Sequence, residues 1–527
     1  MKSGDTKAER KQQRLIRALR EQVPFPHSLG PVEHLETHIS HVLLAGNFAY
    51  KIKKPVNLGF LDFTSLPVRR HYSEEELRLN CRTAPALYLD VVTINGSEDQ
   101  PTLGGSGPVI EYALKMRRFP QAALFSAMLE RGEITEEHVD ALAARIARFH
   151  SEIEAVDEAS KIGAPSIIKR ATLQNFEQLG PLLETQSDAH ALETLRAYTE
   201  RAHARLRHVF RQRKRDGYVR ECHGDLHLDN IAWYGGKATL FDCIEFSEDL
   251  RWIDVMSEAA FVVMDLCARD HPGFAFRLLN AYLERTGDYG GLAVLRYYVV
   301  YRALVRAKVL ALRAYDKGAA TDARKRSRSY LGVAHRFAGD GRAAIIITHG
   351  VSGSGKSTFA QRLLEDLQAI RVRSDVERKR LFALEPQARS GSTLGRDLYA
   401  AQATHDTYAQ LERLARVVAE TGHPVIVDAS FLKRAQRDRF KDLAEALKVP
   451  FVILACWASI AILRARVAER ERRGRDPSEA DVAVLEHQLT THEPLQPDEQ
   501  ASAIALVAEQ VDWHKTLRVL RGRLDQN

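Results

Sequence analysis

Two runs of residues in this chain have the types and spacing needed to handle phosphate. One is GVSGSGKS, from Gly350 to Ser357, a glycine-rich loop that ends in Lys and Ser. Glycines there let the backbone wrap closely, so that successive N–H groups face phosphate oxygens near the positive end of a helix. Gly350, Gly353, Ser354, Gly355 and Thr358 belong to that cradle. Lys356 brings a compact charge to the β- and γ-phosphates, and Ser357 brings a hydroxyl for Mg²⁺. The other run is HGDLHLDN, from His223 to Asn230, followed by Asp242 in LFDCIEF. Phosphoryl transfer needs a carboxylate to orient the acceptor hydroxyl and oxygen ligands to hold Mg²⁺. Asp225 suits the first role; Asn230 and Asp242 suit the second, with a loop, a short hairpin from Trp233 to Lys237 and a strand end gathered around one metal. His223 and His227 have the spacing of a zinc pair on a helix. Gly224 and the run Leu228 to Asn230 read instead as a loop, and no H-E-x-x-H pattern is present, so His223 reads as a hydrogen-bonded organiser of that loop.

The elements around these runs must position them. The strand AIIIT precedes the glycine-rich loop and the helical stretch KSTFAQRLLEDLQ follows it. Beyond them IRVRS, PVIVDA and VPFVILAC alternate with helical stretches, as in a parallel sheet covered by helices. Asp428 ends PVIVD and is a further Mg²⁺ carboxylate. No Glu follows it, no Asp-x-x-Gly switch and no Asn-Lys-x-Asp reader follow either, which speaks against a motor ATPase and a GTPase. Asp375, after Ser374 and before Arg378, faces the phosphate loop as a base for an acceptor hydroxyl; Ser374 and Asp375 would also suit a helix N-cap. The arginines of RARVAERERRGRDPSEA read as a mobile lid over the phosphates, with Arg466 and Arg470 one turn apart and Arg473 next; a solvated helix face is the competing reading.

In the first half, HVLLAG, FAYKIKKPV, YLDVVTI and PVIEYALKM read as strands, with a hairpin turn at Gly46-Asn47. A helix, SEEELRLNCRTA, lies between the second and third. Lys51 and Lys53 share one strand face. One of them pairs with nucleotide phosphates and with Glu76 or Glu75, and Lys51 with Glu76 is the preferred pair; the other lysine is expected on an exposed basic face. Backbone near Leu114 to Met116 is placed to contact the adenine. Residues 136–215 and 250–335 read as helical.

GVSGSGKST, RSDVERKR, VIVDAS and RDPSEA together resemble P-loop kinases of the gluconate kinase, polynucleotide kinase and zeta-toxin type, over roughly residues 342–500. That resemblance implies that Asp375 is the base, with Arg378 beside it. HGDLHLDN, FDCIEF and RWIDV resemble the aminoglycoside phosphotransferase and choline kinase family over roughly residues 35–335. It implies a kinase-like fold that phosphorylates small-molecule hydroxyls with ATP or GTP and Mg²⁺, with Asp225 catalytic, Asn230 and Asp242 on the metal, and Asp254 structural. No G-x-G-x-x-G precedes Lys51, so the nucleotide loop of this half is undefined. The order of the halves is similar to bacterial proteins described as an aminoglycoside phosphotransferase fused to an ATP-binding kinase domain.

At 527 residues the chain exceeds a single core. The expected architecture is a basic leader over 1–30, an α+β protein-kinase-like bilobal domain over 31–338, and an α/β three-layer P-loop domain with a parallel sheet over 339–527. The leader reads as a solvated helix. A net charge of +7 on 76 basic and 69 acidic residues fits phosphorylated ligands without arguing for nucleic acid. Five scattered cysteines form no C-x-x-C pair, which fits a reducing compartment, and no apolar run spans a bilayer, so the cytoplasm is the expected location. Two kinase-type sites acting on small-molecule hydroxyls is the leading reading. A nucleotide-dependent regulatory role for one half, or polynucleotide-end phosphorylation by the second, are the alternatives. Residues 155–215 and 385–410 carry no readable acceptor code, and no oligomeric state is legible.

Overall fold

The computed structural model describes residues 7–21, 23, 25, 30–58, 61–183, 185–317, 320–384, 401–473, 478 and 480–525. Pro24 and Pro26 of the leader, residues 385–400, Gly474 to Pro477 of the arginine-rich run and the side chain of Arg473 lie outside them. The chain divides into two compact units, Met1–Glu177 with His203–Asp265, and Gln178–Ala202 with Leu266–Asn527.

The first unit is built on a six-stranded antiparallel sheet. Its strands are β1 (Glu33–Glu36), β2 (Ser40–Ala45), β3 (Phe48–Lys53), β4 (Tyr88–Gly96), β5 (Pro101–Leu103) and β6 (Val109–Arg117), in the order β1-β2-β3-β6-β4-β5. Gly46 takes a φ of 56° in the β2–β3 turn, a left-handed conformation that costs glycine little. The leader helix α1 (Lys7–Glu21) is not solvated all round. Leu15, Ile16 and Leu19 repeat at helical spacing and bury against Leu43, Tyr50 and Ile52 of the sheet. Gln12 on the same face donates to the Lys53 carbonyl at 2.7 Å.

Helix α2 (Leu66–Cys81) brings its buried residues, Glu76 among them, against β4 and β6. Further on come α3 (Glu136–Glu152), β7 (Val219–Glu221), the hairpin of β8 (Ile231–Tyr234) and β9 (Lys237–Leu240), β10 (Trp252–Asp254) and α4 (Val255–Ala268). The hairpin sits where the sequence puts it, turning through Gly235 and Gly236 at φ 58° and 73°.

In the second unit β11 (Ala344–His349), β12 (Ile370–Arg373), β13 (Pro424–Asp428), β14 (Phe451–Trp457) and β15 (Ala503–Val507) form one parallel sheet, ordered β12-β13-β11-β14-β15. β11 and β13 are buried at every position, which explains their unbroken apolar runs. β15, in ASAIALVAEQ, has no place among the strands read from the sequence. Helices α5 (Pro272–Thr286), α6 (Lys356–Leu367), α7 (Ser374–Leu381), α8 (Ala401–Glu420), α9 (Arg434–Leu447), α10 (Ile460–Arg473) and α11 (Val482–Thr491) surround it. Leu363 and Leu364 of α6 are fully buried against Ile346, Ile426 and Leu454, and each such side chain contributes roughly 1.5–3 kcal/mol. α5, which precedes the 338/339 boundary, packs on this sheet's edge. Asn280 donates to the Ala369 carbonyl at 2.9 Å and accepts from the Arg371 N–H at 2.6 Å, so it continues the hydrogen bonding of β12.

Candidate active sites

In the first unit β3 carries Lys51 and Lys53 on one face, two residues apart. Glu76 of α2, fully buried, gives one carboxylate oxygen to each: Oε1 lies 2.7 Å from Lys51 Nζ and Oε2 lies 2.6 Å from Lys53 Nζ. Glu75 turns away to Arg78 at 2.6 Å and Arg251 at 3.2 Å. Lys53 is not on an exposed basic face. Its side chain is 1% exposed and ion-paired with Glu76 and Glu245. Lys51 also meets Asp242 Oδ1, at 2.6 Å.

Burial works against the charge on Lys51, but Asp242 and Glu76 outweigh it and raise its pKa well above the ordinary value. Burial likewise opposes Lys53, and Glu245 and Glu76 raise it overall. For Glu76, burial pushes upward while Lys51 and Lys53 bring the carboxyl down to about 2. Two cations and three carboxylates therefore form one charged cluster at the end of β3.

The loop HGDLHLDN is held by backbone contacts that the sequence did not announce. The Gly224 N–H donates to Glu258 Oε1 at 2.8 Å, and the Leu228 N–H donates to Asp265 Oδ2 at 2.9 Å; both carboxylates come from α4, two helical turns apart. Glu258 is in turn 2.9 Å from His150 Nε2 of α3. Gly224 sits at φ 88°, where a Cβ would lie 2.8 Å from the Leu250 carbonyl, so no other residue fits without strain. His223 is fully buried, with Nε2 at 2.8 Å from the Phe241 carbonyl and Nδ1 at 3.4 Å from the Asp225 N–H. It ties the loop to the strand that leads to Asp242.

Asn230 donates through Nδ2 to the Asp225 carbonyl at 2.9 Å and to Asp225 Oδ2 at 3.1 Å, which leaves its Oδ1 as the amide's acceptor. His227 Nε2 lies 3.3 Å from Asp225 Oδ2. Asp242 has a φ of 64°, its N–H donates to Tyr88 Oη at 3.0 Å, and its side chain is 45% exposed. The partly exposed Asp242 carboxylate and the Asn230 amide oxygen are both hard donors of the kind Mg²⁺ takes. Asp254 takes Arg213 in a two-pronged pair at 2.7 and 2.8 Å. The backbone at Leu114 to Met116 does not face a ligand: β6 is interior, paired with β3 on one side and β4 on the other. Chain not committed to the sheet begins after Arg117.

In the second unit the glycine-rich loop joins β11 to α6. Gly350, at φ 147°, leaves no room for a Cβ, which would lie 2.5 Å from the Cys456 carbonyl. A cleft of about 380 Å³ opens on the loop, lined by Gly353, Gly355, Lys356, Ser357, Thr358, Arg466 and Arg470 among others. Burial lowers the pKa of Lys356, against the pull of Asp428. Its Nζ donates to the Val351 carbonyl at 2.9 Å. Arg466 donates to the Gly353 carbonyl at 3.3 Å, while Arg470 donates to the Ala480 carbonyl at 2.6 Å and lines the same cleft.

Asp428 is buried at the carboxyl end of β13, and its Oδ2 has no hydrogen-bond partner among the described residues; nor has the buried Ser354 hydroxyl. Arg373 Nε stands 3.7 Å from Asp428 Oδ2 and the carboxylate's charge acts on Lys356, so Asp428 is a buried hard donor of the kind a divalent cation takes. The N-cap of α7 is Arg373, so Asp375 is a first-turn residue rather than the cap. Asp375 is half-buried and makes no hydrogen bond or ion pair among the described residues, while its charge acts on Lys356. α7 is braced from α5, since Arg380 pairs with Glu377 and donates to the Glu284 carbonyl at 2.7 Å, while Arg371 reaches Glu284 Oε1 at 2.7 Å.

Residues 103–296 match the model of the phosphotransferase enzyme family, and residues 345–495 match that of an AAA domain. Uncharacterized proteins of Mycobacterium tuberculosis and Mycobacterium bovis are each 28% identical to this chain over 490 residues, covering 92% of it and 91% of their own length. A choline/ethanolamine kinase family protein from Mesorhizobium loti aligns at 11% identity and a TM-score of 0.37 over 61% of this chain and 93% of its own. A gluconokinase from Sinorhizobium meliloti aligns at 21% and 0.25 over 35% and 93%. Among the described residues no helix is long and apolar enough to cross a membrane.

Proposed function

We propose that this chain, which joins a kinase-type phosphotransferase domain to a P-loop kinase-like domain, uses ATP and Mg²⁺ at two sites to phosphorylate hydroxyl groups of small molecules. The observation that carries the reading is the meeting of Lys51, Glu76 and Asp242 in one cluster, with Asp225 and Asn230 joined to each other on the loop that leads to Asp242. In this reading Asp225 accepts the proton of the acceptor hydroxyl as its oxygen bonds to the γ-phosphorus and the bond to the nucleoside diphosphate breaks. Lys51, oriented by Glu76, binds nucleotide phosphate, and Asn230 and Asp242 hold the metal. Mg²⁺, when bound, neutralises charge on the phosphates. GTP is an alternative donor at this first site.

At the second site the loop amides and Lys356 bind the phosphates, Ser357 and Asp428 hold Mg²⁺, and Asp375 takes the acceptor proton. Arg466 and Arg470 supply charge to the transferring group. The half-buried, unpartnered Asp375 carboxylate supports that role.

The reading is tested by γ-labelled ATP and a pool of hydroxyl-bearing metabolites, with the wild type compared with Asp225→Ala and Lys356→Ala. Label transfer lost in part by each variant supports two sites; transfer lost wholly by one and untouched by the other assigns the chemistry to a single half.

A further inference from the structure

Among the contacts the phosphate loop takes from outside its glycine-rich motif, one comes from a glutamine far along the chain. The N–H of Ser352 donates to Oε1 of Gln488 at 2.7 Å, across 136 positions of sequence. Lys356 Nζ donates to the Val351 carbonyl at 2.9 Å. That carbonyl and that N–H are the two polar ends of a single planar peptide. One peptide unit of the cradle is therefore gripped at both edges, by the phosphate-binding lysine and by a glutamine from α11.

Gln488 is not a wandering surface side chain. Its helix is docked through Leu485, fully buried against Leu463 and Val467 of α10, with Val351 and Leu489 packed on the same cluster. Val351 is thus held by its side chain on the α10–α11 cluster, and Ser352 by its N–H on α11. Beyond α11 the chain is tied down again: the Glu493 N–H donates to the Leu432 carbonyl at 2.8 Å, and Glu499 takes Arg437 in a two-pronged pair at 2.5 and 2.9 Å.

With its N–H on Gln488 and its carbonyl on Lys356, this peptide sets the plane from which the following amides of the cradle are aimed at phosphate. When Lys356 swings to a phosphate it releases the Val351 carbonyl. The plane is then restrained by a 3.3 Å contact from the Ser354 N–H and by the Gln488 bond. We propose that Gln488 is a positioning residue of the phosphate loop, holding the Val351–Ser352 peptide in place while Lys356 exchanges the Val351 carbonyl for a nucleotide phosphate. The inference rests on the reading of Gly350 to Ser357 as a nucleotide site. A neutral amide suits the task, because its oxygen accepts the N–H without bringing a negative charge to the phosphates, as a glutamate would.

Calorimetric titration of the full chain with Mg·ATP tests it, since the fit returns both a Kd and a binding stoichiometry. Lys356→Ala identifies which binding event belongs to the loop. Gln488→Leu should raise the Kd of that event about tenfold, the size of one good hydrogen bond, at unchanged stoichiometry and with the other event unaltered. Gln488→Glu, which keeps the shape, should raise it as well. A Kd within about twofold of wild type in both variants overturns the proposal. So does reduced stoichiometry at unchanged Kd, the signature of a merely misfolded fraction. If Lys356→Ala removes no binding event, the nucleotide reading of the loop falls, and this inference with it.

Discussion

Lys51 Nζ and Asp242 Oδ1 stand 2.6 Å apart although 191 positions separate them in the chain. The contact closes β3 onto the end of β9 and joins Lys51 and Asp242 in one charged cluster. Glu76 extends it inward to Lys53 and Glu245. The two lysines thus have unequal surroundings, and their loss should have unequal effects.

Lys53→Met leaves Glu76 and Glu245 buried with one cation too few, and should lower unfolding stability by about 3–5 kcal/mol. Lys51→Met leaves the buried Glu76 still paired with Lys53, and its other partner, Asp242, is half-exposed. It should cost much less stability and instead raise the KM for ATP at the first site. Denaturant unfolding and initial-rate kinetics read the two effects separately, and a stability loss that is larger for Lys51→Met would reverse the assignment.

Acid should weaken the first unit through Glu76. Its carboxyl is lowered from 4.5 to about 2 in the folded chain, so the stability it contributes is present above pH 4.5 and is lost as pH falls toward 2. In Glu76→Gln the stability-versus-pH curve should be flatter over that window. An unchanged slope there would remove Glu76 as the cause.

Glu258 holds the Gly224 N–H and His150 together beneath Asp225. Glu258→Ala removes the acceptor of both contacts and should destabilise by about 1–3 kcal/mol. The part of the phosphotransfer lost in Asp225→Ala should fall with it, and the part lost in Lys356→Ala should persist. Equal loss of both parts would show a global defect instead.

Asn280 predicts that the edge of the P-loop sheet depends on α5. Asn280→Ala leaves the Ala369 carbonyl and the Arg371 N–H without that partner, and should cost about 1–3 kcal/mol. Hydrogen exchange at Arg371 should quicken. Exchange unchanged from wild type would mean that the contact does not restrain β12.

Both candidate sites are locally compact in the sequence: Gly350 to Ser357 is one short loop, and Asp225, Asn230 and Asp242 lie within one loop and hairpin. The parallel strands are legible as apolar runs. Lys53 reads as exposed because alternation places it on the Lys51 face, and nothing local says that Glu245 will meet it from 192 positions away. α1 reads as solvated because its charges outnumber the apolar residues that repeat at helical spacing. Glu258, Asp265 and Gln488 leave no signal, since each acts by accepting a backbone N–H, and a backbone partner has no sequence signature. The role of α5 at the β12 edge is likewise a long-range pairing that a boundary drawn from composition cannot show.

The most direct measurement is phosphoryl transfer from γ-labelled ATP by the full chain, in a broad pool of hydroxyl acceptors, for the wild type, Asp225→Ala and Lys356→Ala. The account predicts that each variant loses a different labelled product and keeps the other. Unchanged total transfer in both variants would contradict it.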